Sequence, residues 1–451
     1  MWGNAVDDFR RVADTVAARI ASGRLRPGDR LPPQRRFARE HGIAASTAAR
    51  VYRELALRGL VAGEVGRGTF VRSGPPSGAG PALLEPSGAP VDLELTYPEA
   101  DGQTERLAAG LARLCRPDVL AAALRPVGPR GTAAARREGA ALLATGDPEG
   151  VLFAANGRQA IAGAVAALVP PGGRLGVEPF TYPVVKGLLA RIGVAAVPIA
   201  ADEHGPRPDA LAEAHRRAPL SALYLQPALH NPTGVIIPPE RRSALAGAVT
   251  ALGLPVVEDR IWAFLADEPP LADLLPDRTI VVDSLSKRLS PGLTIGLLAV
   301  PAPLRERVAT ALRGGGWLPT GYALEAATGW LADGTVAALS EAKRRDAADR
   351  RALALDRLRG FTVSAAPRSF FCWWELPGPW RAEAFAGAAA GLGITVTPGA
   401  AFATAPDATP AAVRLGLASP PPAELARALD VLAGLARRGP GDPAAPDDRG
   451  G

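Results

Sequence analysis

The chain has 451 residues, of which 47% are hydrophobic and 21% charged, with a formal net charge of +6. This indicates a soluble globular protein of two or three domains, and no signal sequence or apolar run of membrane-spanning length is present, so a cytoplasmic protein without membrane association is expected. Its two cysteines, Cys115 and Cys372, are expected to be buried thiols, and no metal-ligand spacing is seen.

The excess positive charge is confined to the first 72 residues. They hold 14 arginines and 7 acidic residues, a net charge of +7. The remaining residues hold 37 basic and 38 acidic side chains, a net charge of −1. This distribution is typical of a nucleic-acid-binding module joined to a neutral body.

Residues 1–72 are predicted to form a winged helix-turn-helix. Apolar residues at helical spacing predict a first helix that ends at Gly23, and two short helices separated by a glycine turn follow. A strand pair then forms a wing with Arg67 at its tip. The predicted helices are 9–20, 34–41 and about 46–58, and the predicted wing strands are 60–62 and 69–71.

This stretch resembles the GntR-type winged helix through residues 22–32, 51–60 and 66–71. The resemblance implies that the third helix enters the major groove of double-stranded DNA and that the wing approaches the minor groove. Ala44 and Ala45 stand where the family has Ser-Arg, so the operator preference is expected to differ. A basic domain that binds protein is the alternative. The implied DNA-binding residues are Arg35, Ser46, Thr47, Arg50, Arg67 and Gly68.

A linker and a body follow the module. Residues 73–91 are rich in Pro, Gly, Ser and Ala and predict a tether, residues 92–146 are alanine-rich and predict helices, and residues 439–451 predict a disordered tail. From residue 151, short apolar strands alternate with helices, which predicts a mainly parallel sheet with functional groups at the strand ends. The predicted strands are 151–155, 174–178, 222–225, 255–258, 279–283 and 294–300.

Only three of the basic residues are lysines, namely Lys186, Lys287 and Lys343. A lysine amine can lose its proton and add to a carbonyl to form a Schiff base, whereas arginine stays protonated. The mixed charges around Lys343 predict a solvated helix face, and Lys186 is predicted to hold its amine in water. Lys287 follows a buried strand and is therefore the candidate catalytic residue.

Other strand ends carry groups that fit one planar, phosphorylated ligand. Residues 156–158 precede a helix, whose N-terminus can bind phosphate. Tyr182 can stack on a ring, Asn231 can donate to a phenolate oxygen, and Asp259 can pair with a ring nitrogen. Each residue alone is more often structural, but together they form a cofactor-binding set. This set is Asn156, Gly157, Arg158, Tyr182, Asn231, Asp259, Ser284, Ser286 and Lys287.

Residues 92–438 resemble a fold-type I pyridoxal 5′-phosphate enzyme of the aminotransferase class. The resemblance lies in Asn-Pro-Thr-Gly at 231–234 and Ser-x-Ser-Lys-x-Leu-x-Pro-Gly-Leu at 284–293. It implies an α/β fold with a smaller C-terminal α+β subdomain at about 306–438, a homodimer, and pyridoxal 5′-phosphate attached to Lys287. It also implies that Arg414 holds the carboxylate of an amino acid, with a structural strand arginine as the alternative.

Three positions depart from the aminotransferase pattern. Trp262 replaces a tyrosine that bonds the ring hydroxyl, Thr294 replaces an arginine on the phosphate, and residues 368–369 replace a Gly-Gly pair. A charged phosphate contact contributes about 1.5–3 kcal/mol, so weaker cofactor binding is expected. Arg288 or Arg158 is a candidate substitute for the lost arginine.

A GntR-type winged helix linked to an aminotransferase-like body is the arrangement of the MocR family of transcriptional regulators. The resemblance implies that the body binds pyridoxal 5′-phosphate and senses an amino acid or amine, while the two modules of a dimer bind two DNA half-sites. One alternative is an active aminotransferase with a vestigial or tethering N-terminal domain. A second alternative keeps the fold without the cofactor.

Overall fold

In the computed structural model, the described residues are 5–21, 24–25, 28–57, 60–64, 68–71, 87–405 and 410–439. The predicted helix end at Gly23, the wing tip at Arg67, most of the predicted linker and nearly all of the predicted tail lie outside these residues.

The N-terminal module contains the three predicted helices and the predicted wing. Its core is formed by apolar residues from all three helices, among them Val16, Phe37 and Leu55. A short strand that the sequence analysis missed pairs with the second wing strand, which gives the sheet order β1-β3-β2. The elements are α1 Ala5–Ala21, β1 Arg30–Leu31, α2 Gln34–Glu40, α3 Ala45–Leu57, β2 Val61–Glu64 and β3 Gly68–Val71.

The large domain is built on a seven-stranded sheet. Its elements in chain order are β4 Val91–Asp92, α4 Gln103–Ala112, α5 Pro117–Ala123, α6 Ala133–Leu143, β5 Val151–Ala154, α7 Gly157–Leu168, β6 Arg174–Val177, α8 Pro183–Arg191, β7 Ala195–Pro198, β8 Ala201–Asp202, β9 Gly205–Pro206, α9 Pro208–Arg217, β10 Ala222–Leu225, α10 Pro239–Leu252, β11 Val256–Asp259, β12 Thr279–Ser284, α11 Leu285–Arg288, β13 Gly296–Ala299 and α12 Arg305–Gly314. Strands β4, β8 and β9 lie outside the large sheet.

The order of the large sheet is β5-β13-β12-β11-β10-β6-β7. Strand β13 is antiparallel to both of its neighbours, and the other strand pairs are parallel, as predicted. Side chains that alternate along each strand enter cores on opposite faces: Leu152 and Leu298 pack with α7, and Phe153 and Leu297 pack with α6. Parallel strands with both faces covered present their carboxyl ends as the accessible edge.

The small domain is a four-stranded antiparallel sheet of order β14-β15-β18-β17, covered by helices. Strand β4 pairs with β16 and so ties the beginning of the body to this domain. Helix α13 Gly321–Ala332 precedes this domain and is buried in the same core as α6 of the large domain. The elements of the small domain are α14 Thr335–Arg357, β14 Thr362–Ser364, β15 Phe371–Glu375, α15 Ala382–Gly391, β16 Ile394–Thr395, β17 Thr397–Pro398, β18 Ala412–Gly416 and α16 Pro422–Arg438.

The boundary predicted at residue 306 assigns α12 to the small domain, but the structure does not. Val308, Ala309 and Leu312 of this helix are buried in the same core as α7 on the large sheet. Helix α12 therefore belongs to the large domain.

The predictions for two lysines are wrong. Lys343 in α14 is fully buried, and its Nζ donates to the backbone oxygens of Lys287 at 3.3 Å and Leu289 at 2.7 Å. The Nζ of Lys186 donates to the backbone oxygens of Ala401 at 2.7 Å and Ala403 at 2.6 Å. Both amines hold loops together because they can donate to several carbonyl groups at once.

Candidate functional site

The surface predicted to bind DNA lies on α2 and α3. Ala48, Val51 and Leu55 anchor α3 in the module core. Its opposite face carries the exposed residues Ser46 and Arg50 and the partly exposed Thr47, and Arg35 is exposed on α2. The helical repeat places Ser46 and Arg50 one turn apart on one face.

The same face continues to an arginine that the sequence analysis did not select. Arg53 is exposed one turn beyond Arg50 on α3. The guanidinium of Arg50 lies 4.2 Å from the centre of the Phe9 ring, so this side chain also contacts α1. These positions extend the cationic surface along α3.

Gly68 begins the second wing strand with a φ of +121°. A Cβ there would lie 2.7 Å from Nε of Arg30. Glycine is favoured at this position because other residues rarely adopt this backbone conformation, while the flexible side chain of Arg30 could move away from a Cβ. Arg67, the predicted wing contact, lies outside the described residues.

One cavity of about 380 Å³ lies at the carboxyl ends of the large-sheet strands and extends to the small domain. This is a size typical of small-molecule and cofactor sites. The predicted residues that line it are Asn156, Gly157, Arg158, Tyr182, Asn231, Asp259, Ser286, Lys287 and Arg414. Residues from six separate segments therefore meet at one site.

Lys287 presents its amine to this cavity from α11, directly after β12. Its Nζ donates to the backbone oxygen of Thr96 at 2.7 Å and lies 4.1 Å from the centre of the Tyr97 ring. Burial lowers the pKa of Lys287 well below its ordinary value, and the nearby charges of Arg414 and Arg158 lower it further. The amine is thereby made available in its neutral, nucleophilic form.

Asp259 ends β11 and is held by a hydrogen-bond network. Its Oδ2 accepts from the hydroxyl of Tyr224 at 2.6 Å and from Nε2 of Gln226 at 2.8 Å, and its Oδ1 accepts from the backbone N–H of Ile261 at 3.0 Å. Burial raises the pKa of Asp259, while these hydrogen bonds oppose the increase. A fixed, buried carboxylate of this kind is complementary to a protonated ring nitrogen.

The N-terminus of α7 forms another end of the cavity. The Oδ1 of Asn156 accepts from the backbone N–H of Gln159 at 3.0 Å, so the side chain caps the helix. A Cβ on Gly157 would lie 2.9 Å from that of Ser284, which shows how closely this helix approaches β12. Helix N-termini favour anions because their N–H groups are unpaired and the helix dipole is positive there.

Ser284 was predicted to bind the cofactor, but it is not among the residues that line the cavity. It is fully buried, its Oγ accepts from the backbone N–H of Ser286 at 3.2 Å, and the Oγ lies 2.9 Å from Oγ1 of Thr294. Its hydroxyl caps α11, because the last residue of β12 is also the residue before the helix. Ser284 therefore orients the segment that carries Lys287.

Of the two arginines considered as substitutes at the phosphate end, only Arg158 lines the cavity. Its Nε donates to the hydroxyl of Tyr182 at 3.3 Å, and an NH2 donates to the hydroxyl of Tyr97 at 3.4 Å. Arg288 is instead paired with Asp283 at 2.7 Å and lies outside the cavity lining. Arg158 has no acidic partner within the described residues, which leaves its charge available to an anion.

Arg414 is buried on β18 and reaches the cavity from the small domain. Its guanidinium donates to the backbone oxygen of Glu94 and to Oγ1 of Thr397 at 3.2 Å, while its Nε has no partner among the described residues. Burial lowers its pKa to about 10, so the side chain remains charged at neutral pH. An incompletely satisfied, buried guanidinium is well suited to hold a carboxylate.

Comparison with known proteins gives matches for both the N-terminal module and the body. The family described as aminotransferase class I and II matches residues 124–432, and the gntR family of bacterial regulatory proteins matches residues 9–71. YdeF of Bacillus subtilis, described as an uncharacterized HTH-type transcriptional regulator, is 30% identical over 432 residues, which cover 93% of each chain. The chain belongs to the MocR type of GntR-family transcriptional regulators.

Two further relatives represent the regulatory and the enzymatic side of the resemblance. The pyridoxine biosynthesis transcriptional regulator PdxR of Corynebacterium glutamicum is 27% identical, with 77% of this chain and 78% of PdxR covered. The α-aminoadipate aminotransferase LysN of Thermus thermophilus has a TM-score of 0.70 at 25% identity, with 79% of this chain and 93% of LysN covered. The fold of this regulator's body is thus that of fold-type I aminotransferases.

The cavity has the groups that pyridoxal 5′-phosphate requires. Asn231 is buried at its wall, and its side-chain oxygen has no hydrogen-bond partner among the described residues. The amine of Lys287, the carboxylate of Asp259 and the N-terminus of α7 match the aldehyde, ring nitrogen and phosphate of the cofactor. A polar group left unpaired in a buried cavity indicates a site shaped for a polar ligand.

Two of the three departures from the aminotransferase pattern have structural explanations. Trp262 is buried against Phe264 and Phe371, and its ring centre lies 5.0 Å from Nζ of Lys287. It thus fills space beside the amine without offering a hydroxyl. Thr294 lines the cavity, where its hydroxyl contacts Ser284 in place of an arginine that would reach further.

Four site residues were missed by the sequence analysis: Glu94, Tyr97, Tyr224 and Gln226. Gln226 directly follows a predicted strand, so its position was a usable signal. Glu94 and Tyr97 lie in a segment that was predicted to be helical but is extended, and only its pairing with a distant strand brings it to the cavity.

No helix within the described part of the chain is long and apolar enough to cross a membrane. Among the same residues, no group of three or more metal-binding side chains occurs.

Proposed function

We propose that this regulator binds DNA as a homodimer through α3 and the wing, and that an amino acid or amine captured with pyridoxal 5′-phosphate in the body changes this binding. The observation that carries the proposal is the meeting of Lys287, Asp259, Asn231 and Arg414 at one cavity in a chain that also has a winged helix. The names of PdxR and of the Salmonella typhimurium vitamin B6 salvage repressor PtsJ agree with it.

Lys287, Asp259 and Arg414 have separate roles in the proposed recognition of the cofactor and the amino acid. When bound, pyridoxal 5′-phosphate supplies an aldehyde that exchanges its oxygen for an amine nitrogen, with release of water. Lys287 holds the cofactor and accepts or returns a proton at its amine. Asp259 keeps the ring nitrogen protonated, and Arg414 orients the carboxylate of an incoming amino acid.

Arg158 completes the proposed anion site at the N-terminus of α7. It lines the cavity together with Asn156 and Gly157, where backbone N–H groups and one guanidinium can share a phosphate. It therefore substitutes for the family arginine that Thr294 replaces.

The first experiment is absorbance spectroscopy of the full-length protein with added pyridoxal 5′-phosphate. A visible band is expected in the wild type and in Lys186→Ala, and it is expected to be lost in Lys287→Ala. Lys186 is the matched control because its amine likewise donates to backbone carbonyl groups but lies outside the cavity lining. A band of equal strength in Lys287→Ala would contradict the proposed attachment.

The second experiment measures binding to the DNA upstream of the protein's own coding region by fluorescence anisotropy at several salt concentrations. Affinity is expected to fall as salt rises and to change when a captured amine alters the visible band. A protein whose DNA affinity is indifferent to the bound amine would contradict the coupling of the two halves.

Active transamination is a second candidate, because the amine of Lys287 and the carboxylate of Asp259 needed for it are both in place. Incubation with an amino donor and an oxo acid distinguishes it. Steady accumulation of a new oxo acid over many turnovers would favour the enzyme, whereas spectral change without accumulation would favour the sensor.

The proposed homodimer and cytoplasmic location follow from the same function. Two modules in one dimer can bind two half-sites of an operator, and DNA is reached in the cytoplasm. Analytical ultracentrifugation of the full chain tests the dimer, and a monomer bound to a single half-site would contradict it.

A further inference from the structure

Residues 94–97 form a wall of the cavity, and hydrogen bonds hold the backbone where this segment begins. The backbone N–H groups of Glu94 and Leu95 donate to Oδ1 of Asp92 at 2.8 and 3.0 Å. On the other side, the N–H of Gly416 donates to the backbone oxygen of Leu93 at 2.6 Å. These hydrogen bonds fix the backbone from which the side chain of Glu94 extends.

Two opposite charges lie at this wall without being paired to each other. Arg414 contacts Glu94 only through the backbone oxygen of that residue. Glu94 is a partly exposed residue of the cavity lining, and its carboxylate forms no hydrogen bond or ion pair within the described ranges. Its pKa is raised to about 7, chiefly by burial and then by the charge of Asp92, while Arg414 opposes the increase.

A partly buried acid at a cavity wall favours a ligand that supplies a positively charged donor, because such a charge-assisted hydrogen bond is stronger than a neutral one. If an amino acid placed its carboxylate on Arg414 and its amine toward Lys287, its side chain would extend along the wall that carries Glu94. A second carboxylate would meet a like charge there, and an alkyl chain would leave the acid unpaired.

We infer that Glu94 selects the effector, and that the effector class is a basic amino acid whose side chain ends in a protonated amine or guanidinium. This inference rests on the proposed amino acid sensing and adds its chemical specificity. Charge-assisted hydrogen bonds of this kind discriminate strongly because the wrong ligand leaves a buried charge unpaired.

The test uses three amino acids of equal chain length: L-ornithine, L-norvaline and L-glutamate. Each is titrated into the full-length protein loaded with pyridoxal 5′-phosphate, and the dissociation constant is read from the visible absorbance. L-Ornithine is expected to bind at least about tenfold more tightly than L-norvaline, and L-glutamate more weakly than both.

The same titrations with Glu94→Gln assign the discrimination to the residue. The preference for L-ornithine is expected to shrink to less than about threefold, and L-glutamate is expected to bind better than it does to the wild type. Glu105→Gln is the matched control, because this exposed acid on α4 lies outside the cavity lining.

Three outcomes would overturn the inference. Equal binding of L-ornithine and L-norvaline to the wild type would overturn the inference but leave amino acid sensing intact. This comparison is made on the wild-type protein alone. An equal loss of all three ligands in Glu94→Gln would assign the residue a structural role. A cofactor band that responds to none of the three would refute amino acid sensing itself, and the inference with it.

Discussion

Replacement of the buried amine of Lys343 by the apolar side chain of methionine is expected to change stability in a pH-dependent way. The wild-type amine donates to the carbonyl groups of Lys287 and Leu289. Lys343→Met leaves both carbonyl groups without this donor, at a cost of roughly 1–3 kcal/mol each. It also removes an amine whose pKa burial lowers to about 7.

The sign of the pH dependence follows from proton binding. Between about pH 7 and 10.5, the unfolded chain holds a proton on Lys343 that the folded protein has released, so the wild type gains stability as pH rises. Each pH unit is worth about 1.4 kcal/mol at most. The wild type should therefore gain roughly 2–3 kcal/mol relative to Lys343→Met between about pH 7 and pH 9.

Urea unfolding followed by tryptophan fluorescence measures this difference. Six of the seven tryptophans lie in the body, so the signal reports the domains that contain Lys343. A difference in unfolding free energy between wild type and Lys343→Met that stays constant from pH 7 to pH 9 would refute the reasoning.

Lys186→Met, which also loses two carbonyl contacts, is the control for the cofactor site. Only Lys343→Met should also weaken the visible band of added pyridoxal 5′-phosphate, because Lys343 holds the loop that carries Lys287.

Three further substitutions test the DNA surface, the aspartate network and a second buried acid. Arg50→Ala should lower DNA affinity about tenfold and reduce the slope of log affinity against log salt by about 1, as measured by fluorescence anisotropy; an unchanged slope would remove Arg50 from the interface. Tyr224→Phe should raise the Kd for pyridoxal 5′-phosphate about tenfold in absorbance titrations, because Asp259 loses a charge-assisted hydrogen bond; an unchanged Kd would show that the hydroxyl is dispensable. Burial raises the pKa of Glu178 to about 8, so wild-type stability should fall from about pH 5 to pH 8 relative to Glu178→Gln; parallel urea-unfolding profiles would contradict this.

Local patterns were sufficient for most of the fold. The six predicted strands are present because each is a short apolar run that both faces of a covered sheet require. Strand β7 was missed because it lies at the sheet edge, where its residues are only partly buried or exposed. Its sequence therefore lacks the strong apolar signal of the central strands.

Site residues at strand ends were predictable, and those placed by long-range contacts were not. Lys287 and Asp259 follow apolar strands and carry recognisable neighbours. Lys343 lies among charged residues, and nothing in its local sequence shows that its own position on α14 faces the core. The segment of Glu94 reaches the cavity only because β4 pairs with β16, about 300 residues away.

The pairing of β4 with β16 has a mechanical consequence for the linker. The backbone N–H groups of Val91 and Leu93 donate to the oxygens of Gly393 and Thr395, both at 3.0 Å, and Glu94 at the cavity follows immediately. Because each strand has only two residues, few backbone hydrogen bonds connect them. The cavity wall at Glu94 is therefore directly continuous with the point where the linker to the DNA-binding module joins the body. In the proposed homodimer, a ligand that displaces this wall would also displace the point where the linker joins the body, and so change the distance between the two modules on DNA.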